Sequence, residues 1–411
     1  MRVVLGLILA LLLGARGAGA AEPIKIGFSM ALTGGGASIG KQILLAFEIW
    51  RDDVNAKGGL LGRPIELVYY DDQTNPAAVP GIYAKLLDID KVDLLVGPYA
   101  TNMVTPAIPV IMQHNMVTIG IAANAANSEF HYPKYFSMIP SGPEPKLSFS
   151  KGFLELAAAQ TPRPKTMAII GADAEYARNA SDGARGNAKT YKFDIVFDRS
   201  YPPSNTDFVP ILRSVKSANP DIVYVSSYPP DSVGIIRAAS EIGLDVKMFG
   251  GAMIGPSITA VATQLGPILN GLVNLDSSYI GRNGSTPGVV ALTRKYQEKA
   301  QALGIDPLGY TFPPYGYAAC EVIATAVAAV GSLDHDKIAD YIRTHHFQTV
   351  VGEVGFAKDG EWEKPGMAFT QFQHVTGHDV EQFRSGTHVK VVWPAEYRTG
   401  DMIYPYSAAR E

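Results

Sequence analysis

From Ile24 onward the hydrophobic positions repeat a two-part pattern: a short apolar run, a turn, then a longer segment whose apolar residues recur at helical spacing. The runs Ile24 to Met30, Ile65 to Tyr70, Leu94 to Val96, Val117 to Ile119, Thr166 to Ile170, Asp194 to Val196, Ile222 to Val225 and Val246 to Phe249 read as strands. Between them, Ile43 to Val54 places Ile43, Leu44, Phe47, Trp50 and Val54 on one face and predicts an amphipathic helix. Val79 to Leu87, Pro106 to Gln113, Phe208 to Ser217 and Ser232 to Ile242 predict four more. Such alternation implies βαβ units, and hence parallel sheets with helices on both faces.

The alternation breaks at Tyr135 to Pro145, a stretch too rich in proline and glycine to sit inside a sheet. It reads as a crossing between two lobes. Further crossings are expected near Leu275 to Ser278 and Gly352 to Gly355, because the chain then returns to strand-like runs at Phe369 to Phe372 and Val389 to Val392. The expected division is 22–142 with 277–352 for the first lobe, and 143–276 with 353–411 for the second. Ligands of open α/β sheets bind outside the carboxyl ends of the strands, so two facing lobes make a cleft at their interface.

Upstream of this pattern, Arg2 precedes the apolar run Val3 to Leu13, which ends in Gly17-Ala18-Gly19-Ala20-Ala21. A basic start, a run shorter than the roughly 20 residues of a spanning helix and small residues at the end make a secretory signal peptide, residues 1–21. No cysteine stands there to accept a lipid. The remaining chain of about 390 residues is more than one hydrophobic core organises. The single cysteine, Cys320, lies in an apolar segment, so packing and not a disulfide must stabilise the exported fold. Loss of Arg2 and Arg16 leaves 33 basic against 39 acidic residues and moves the net charge from −4 to −6. A mildly acidic surface argues against nucleic acid and anionic lipid as partners.

Several spaced segments carry a family likeness. Ile24-Lys25-Ile26-Gly27-Phe28-Ser29-Met30-Ala31-Leu32-Thr33-Gly34, the turn Asn55-Ala56-Lys57-Gly58-Gly59-Leu60-Leu61-Gly62-Arg63-Pro64, Tyr70-Asp71-Asp72, Val96-Gly97-Pro98, Thr206-Asp207-Phe208 and Asn219-Pro220-Asp221 occur in order over the mature chain. The sequence resembles the branched-chain amino-acid-binding proteins of bacterial ABC transporters. That resemblance implies a type I periplasmic-binding fold, two doubly wound parallel-sheet lobes joined by three crossovers that close on a small-molecule solute. It also implies periplasmic location, an ABC permease as partner, action as a monomer, and neither cofactor nor catalysis. A disulfide of some relatives would span about Thr74 and Ala100, where this chain has no cysteine.

The same resemblance nominates ligand contacts. Thr101, Ala122 and Asn124 match positions that hold a ligand carboxylate, although Thr101 could equally cap the following helix and Asn124 serve a turn. Tyr176 and Tyr228 match tyrosines that cover the ligand; Phe312 and Tyr315 are weaker candidates for the apolar wall. Relatives that bind amino acids carry an acid where Met253 stands in Gly250-Gly251-Ala252-Met253. A buried ammonium without a carboxylate is costly, so an organic acid lacking an α-amine is expected unless Glu144 supplies the charge.

Other motifs weigh little. Gly35 to Gln42 falls short of a phosphate-binding loop, because Gln42 replaces the metal-ligating Ser or Thr; the loop is instead expected to line the cleft. His374 and His378, and the pair His345-His346, lack the helical spacing of a metal site. No hydrolase signature is present. Transport of a small organic acid or amino-acid-like solute is the leading function, a soluble ligand sensor or a true branched-chain amino-acid receptor the alternatives.

Overall fold

A computed structural model describes residues 21–279, 283–284 and 286–410. The signal peptide expected at 1–21 lies outside the described residues apart from Ala21. Strands β1 (Ile24–Met30), β2 (Ile65–Asp71), β3 (Leu94–Tyr99), β4 (Thr118–Ile121) and β5 (Tyr135–Met138) form a parallel sheet in the order β2-β1-β3-β4-β5. Helices α1 (Ala37–Asn55), α2 (Val79–Ala84) and α3 (Thr101–Gln113) connect them. The second lobe interleaves α4 (Pro145–Ala158), β6 (Thr166–Ala172), α5 (Glu175–Thr190), β7 (Asp194–Tyr201), α6 (Val209–Ala218), β8 (Ile222–Ser227), α7 (Pro229–Glu241), β9 (Met248–Met253), α8 (Thr259–Leu265) and β10 (Val273–Asp276).

The chain then returns to the first lobe through α9 (Pro287–Leu303), α10 (Phe312–Val330), α11 (His335–Thr344) and the hairpin β11 (Phe347–Thr349) with β12 (Gly352–Val354). It ends on β13 (Ala368–Phe372) and β14 (Val389–Trp393), which join the second sheet antiparallel. That sheet runs β14-β13-β10-β9-β8-β6-β7.

Strand period explains why helices cover both faces of the first sheet. Leu94 and Val96 point into the core shared with α1, α9, α10 and α11, while Leu95 between them packs with α2 and α3. Asn55 fastens the end of α1 to the start of β2: its amide donates to the Ile65 carbonyl at 3.0 Å and accepts the Ile65 N–H at 2.7 Å. The turn beyond it requires left-handed backbone at Gly59 (φ 81°), where a side chain would also collide with the Arg63 carbonyl.

Two sequence expectations are corrected. Tyr135 to Met138 is not part of a crossing but the edge strand β5; only the segment from Ile139 leaves the lobe, since the prolines begin at Pro140. Near Gly352 to Gly355 the chain turns back as a hairpin, and Val354, Phe356 and Trp362 pack in the core of the first lobe. The last crossing therefore follows Trp362. There the Gly366 N–H donates to the Pro140 carbonyl at 2.8 Å, so the first and last crossings lie side by side.

At this junction Ser141 Oγ donates to Glu361 Oε2 at 2.9 Å, and Glu361 is almost wholly buried. Burial is the main reason its carboxyl is pushed up to about 8; Ser141 opposes that rise and the nearby Asp359 charge adds to it. A carboxyl raised above its ordinary value takes up a proton on folding. Its stabilising share is complete below about pH 4 and is lost as pH rises through about 8. Glu361→Gln keeps an acceptor for Ser141 and removes the titration. In urea unfolding its stability relative to the parent should therefore improve from pH 5 to pH 9; an equal difference at both would contradict a buried neutral acid.

The close approach of α4 and α5 gives a second expectation. A methyl group on Gly183 would lie 1.9 Å from the Lys146 carbonyl oxygen, whereas one on Gly81 meets nothing within 4 Å. Gly183→Ala should cost about 1–3 kcal/mol through overpacking. Gly81→Ala should gain about 0.4–1 kcal/mol by restricting the unfolded chain. Equilibrium unfolding of both variants checks the pair.

Candidate functional site

The strands run further toward the cleft than their apolar runs suggested. β3 continues through Gly97-Pro98-Tyr99, β8 through Ser226-Ser227 and β9 to Met253, and all these residues are buried. Their carboxyl ends bring loops of both lobes around an inner cavity of about 70 Å³ beside the crossings. Thr101, Ala122, Tyr176, Tyr228, Met253 and Phe312, all singled out from sequence, line it. Tyr99, Phe149 and Asp276 line it too and were not anticipated.

Thr101 opens α3, and the cap position before it is Ala100, so Thr101 does not serve as the helix cap. Its Oγ1 instead accepts the Asn124 N–H at 2.9 Å, joining the ends of β3 and β4. The flanking residues Ala100 (φ 78°) and Ala122 (φ 51°) both hold positive φ, a conformation alanine adopts only at a cost and one that concentrates at functional sites. The first turn of a helix presents N–H groups without intrahelical partners, and the Thr101 hydroxyl keeps its proton to donate. Together these favour an anion.

Asn124 itself does not line the cavity. Its carbonyl accepts Asn179 Nδ2 from α5 at 3.0 Å, while its fully buried side-chain amide has no protein partner. Tyr315 also stands elsewhere, buried in the first lobe with its ring 6.3 Å from Trp362. Glu144 is exposed at the start of α4 and away from the cavity, so it does not supply a charge there.

On the facing wall the Tyr176 hydroxyl donates to the Ala252 carbonyl at 3.0 Å, and its ring meets Phe149 and Tyr228 edge-on, each at 5.7 Å. Tyr99 meets Phe312 in the same way at 5.7 Å. Burial raises the Tyr99, Tyr176 and Tyr228 hydroxyls far above the ordinary phenol value, so all three are neutral donors. Met253 is held through its backbone by the Asn274 side chain, at 3.1 and 2.8 Å, and no acid stands at its position. Asp276, at the end of β10, is the one carboxylate among the lining residues. Its Oδ1 accepts the Ser278 N–H and its Oδ2 the Ser278 hydroxyl, both at 2.6 Å.

Away from the crossings a second chamber of about 870 Å³ opens between the lobes. Gly35 and Gly36 line it, as expected of their loop, together with Thr74 and Ala100, the positions where some relatives carry a disulfide. Here Thr74 Oγ1 accepts the Gly36 N–H at 3.0 Å and donates to the Thr33 carbonyl at 2.9 Å, fastening the loop without a covalent link. Hydrogen bonds span the cleft from α3 and the loop after β4: Asn179 to Asn124, Thr105 Oγ1 to Glu175 Oε1 at 2.6 Å, and the Tyr228 hydroxyl to Asn102 Oδ1 at 3.1 Å; on the side of α10, Thr311 Oγ1 donates to the Ser257 carbonyl at 2.8 Å and the Ala260 N–H to Asp306 Oδ2 at 2.9 Å. The lobes are thus closed on each other. Among the described residues no group of His, Cys, Asp and Glu is arranged to hold a metal ion.

Comparison with known proteins places this architecture. Residues 23–378 match the periplasmic binding protein family. The leucine-, isoleucine-, valine-, threonine- and alanine-binding protein of Pseudomonas aeruginosa is 26% identical over 348 residues, 83% of this chain and 88% of its own. A solute-binding protein of an ABC transporter from Rhodopseudomonas palustris, solved with 3,4-dihydroxybenzoic acid, superposes with a TM-score of 0.72 at 19% identity, covering 86% of this chain and 94% of the other. The branched-chain amino acid transporter substrate-binding protein of Streptococcus pneumoniae, solved with isoleucine, gives 0.73 at 20% identity, with 91% and 100% covered. Sequence, fold and cleft agree that the chain belongs to the branched-chain amino-acid-binding family of periplasmic binding proteins, the solute-binding receptors of ABC transporters.

Proposed function

We propose that the protein captures a small organic acid with a flat apolar body and delivers it to an ABC permease in the periplasm, after removal of residues 1–21. The observation that carries this reading is the asymmetry of the inner cavity. One end offers the Thr101 hydroxyl and the start of α3 to a carboxylate. The walls are the rings of Tyr99, Phe149, Tyr176, Tyr228 and Phe312 with the side chain of Met253. Such walls reward flat apolar area and edge-to-face contact.

No acid stands at the Met253 position to pair an α-amine, and Asp276, the one carboxylate in the wall, is oriented by Ser278 through one lone pair of each oxygen. A buried ammonium left unpaired costs several kcal/mol. Asp276 favours a second reading, in which its charge and remaining lone pairs hold the amine of a branched-chain amino acid. Thermal-shift measurement separates the two, since a ligand that binds only the folded state raises the melting temperature. Benzoates and phenylpropanoids at a hundred times their Kd should each add about 2.7 kcal/mol of stability, with little effect from leucine. Stabilisation by leucine and by no simple acid would transfer the role to Asp276.

Thr101 provides the sharper test. Thr101→Ala should weaken binding of the stabilising acid by about tenfold to a hundredfold or more, the worth of a hydrogen bond to a charged group. It also removes the acceptor of the Asn124 N–H, so a modest loss of ligand-free stability is expected. Thr101→Ser retains the hydroxyl and should restore most of the affinity in calorimetric titration. Equal affinity in all three proteins would place the carboxylate elsewhere.

A further inference from the structure

The two interlobe cavities share part of their walls: Tyr99, Ala100 and Tyr228 line both the inner cavity of about 70 Å³ and the outer chamber of about 870 Å³. An apolar cavity that accommodates one benzene measures about 150 Å³. The inner cavity therefore holds a carboxylate and a few adjoining atoms, and the rest of the ligand needs space that one panel of its wall must yield.

The three tyrosines around it differ in what holds them. Tyr99 is buried in its own lobe with its ring against Phe312. Tyr176 is buried in the other, its hydroxyl on the Ala252 carbonyl of the same lobe. Tyr228 is only half-buried, at the cap position of α7, and its hydroxyl donates across the cleft to Asn102 on α3. Parting the lobes breaks that bond and leaves the other two intact. Beyond Tyr228 the outer chamber offers apolar surface from Met103, Pro106, Phe130, Phe208 and Pro230.

We propose that Tyr228, held by Asn102, is a gate between the two chambers, and that the ligand is an elongated acid. Its carboxylate lies at Thr101 and its body passes Tyr228 into the outer chamber. Asn102 is then a positioning residue that sets ligand length without touching the carboxylate. This inference rests on the reading of the inner cavity as the carboxylate end.

Calorimetric titration of benzoate, phenylacetate, 3-phenylpropionate and 5-phenylpentanoate into the parent, Asn102→Ala and Asn102→Asp tests it. In the parent, affinity should rise along the series. Asn102→Ala removes the hydrogen bond a long ligand must displace, so the ratio of long-acid to short-acid affinity should rise by about threefold to tenfold. Asn102→Asp restores an acceptor and should return the ratio toward the parent. A purely structural role for Asn102 would shift all four acids by one common factor and overturn the gate, as would affinity that falls beyond benzoate in the parent. If no acid in the series binds the parent, the carboxylate reading fails first and the gate with it.

Discussion

The hydrogen bond from the Asn124 N–H to the Thr101 hydroxyl governs the cleft. It ties the end of β4 to the start of α3 beside two alanines in positive-φ backbone, Ala100 and Ala122, whose own N–H groups donate to the Ile121 and Met138 carbonyls. By consuming an acceptor lone pair of Thr101, it leaves the hydroxyl proton to point elsewhere. The carbonyl of the same Asn124 receives Asn179 from the opposite lobe. The loop that braces Thr101 beside the cavity is thus also the loop on which the second lobe lands.

Closure is held by a few polar contacts and by apolar residues lent from one lobe to the other. Thr105, Asn124 and Asn102 bond across the cleft on one side and Thr311 and Asp306 on the other, while Leu308 and Tyr310 pack in the core of the second lobe and Ile258 in that of the first. A typical hydrogen bond contributes about 0.5–1.5 kcal/mol net. A ligand that adds contacts to both walls can therefore shift the balance between open and closed forms by its differential affinity for the closed one. The crossings allow such a change without unfolding either lobe, since Gly366 and Pro140 pair at the junction and the sheets lie beyond it. Buried Glu361 is a cost carried at that junction once it ionises.

Much of this was legible in the chain because period and punctuation act locally. The alternation of β1, α1 and β2, and the Asn55 to Pro64 turn, follow from residues adjacent in sequence. What stayed hidden lies where polar residues are buried by a distant partner. Ser226 and Ser227 end an apolar run on paper yet continue β8, because they pair with β9 and their hydroxyls meet Ser181 of α5 and Ser232 of α7. Tyr135 to Met138 looked like linker beside its prolines, but β4 supplies its hydrogen bonds. The six cavity-lining residues came from family likeness joined to their position after strands. Asp276 lacked such a motif; its only signal was its place at the end of a strand beside a crossing. Asn102 carried no signal, as its significance depends on a tyrosine 126 residues later.

The pairing of walls also explains how one scaffold can serve different acids and amino acids. The Thr101 end of the cavity is built from backbone and a hydroxyl at β3, β4 and α3, groups whose chemistry suits a carboxylate irrespective of what else a ligand carries. Discrimination must come from the second lobe, where Met253 and Tyr228 contribute replaceable side chains from the ends of β9 and β8. An acid at the Met253 position would pair an amine, while methionine there yields to a flat apolar body. On the proposed reading, the same backbone frame would change ligand class with one substitution in the second lobe, provided that nothing disturbed the Thr101 to Asn124 bond in the first.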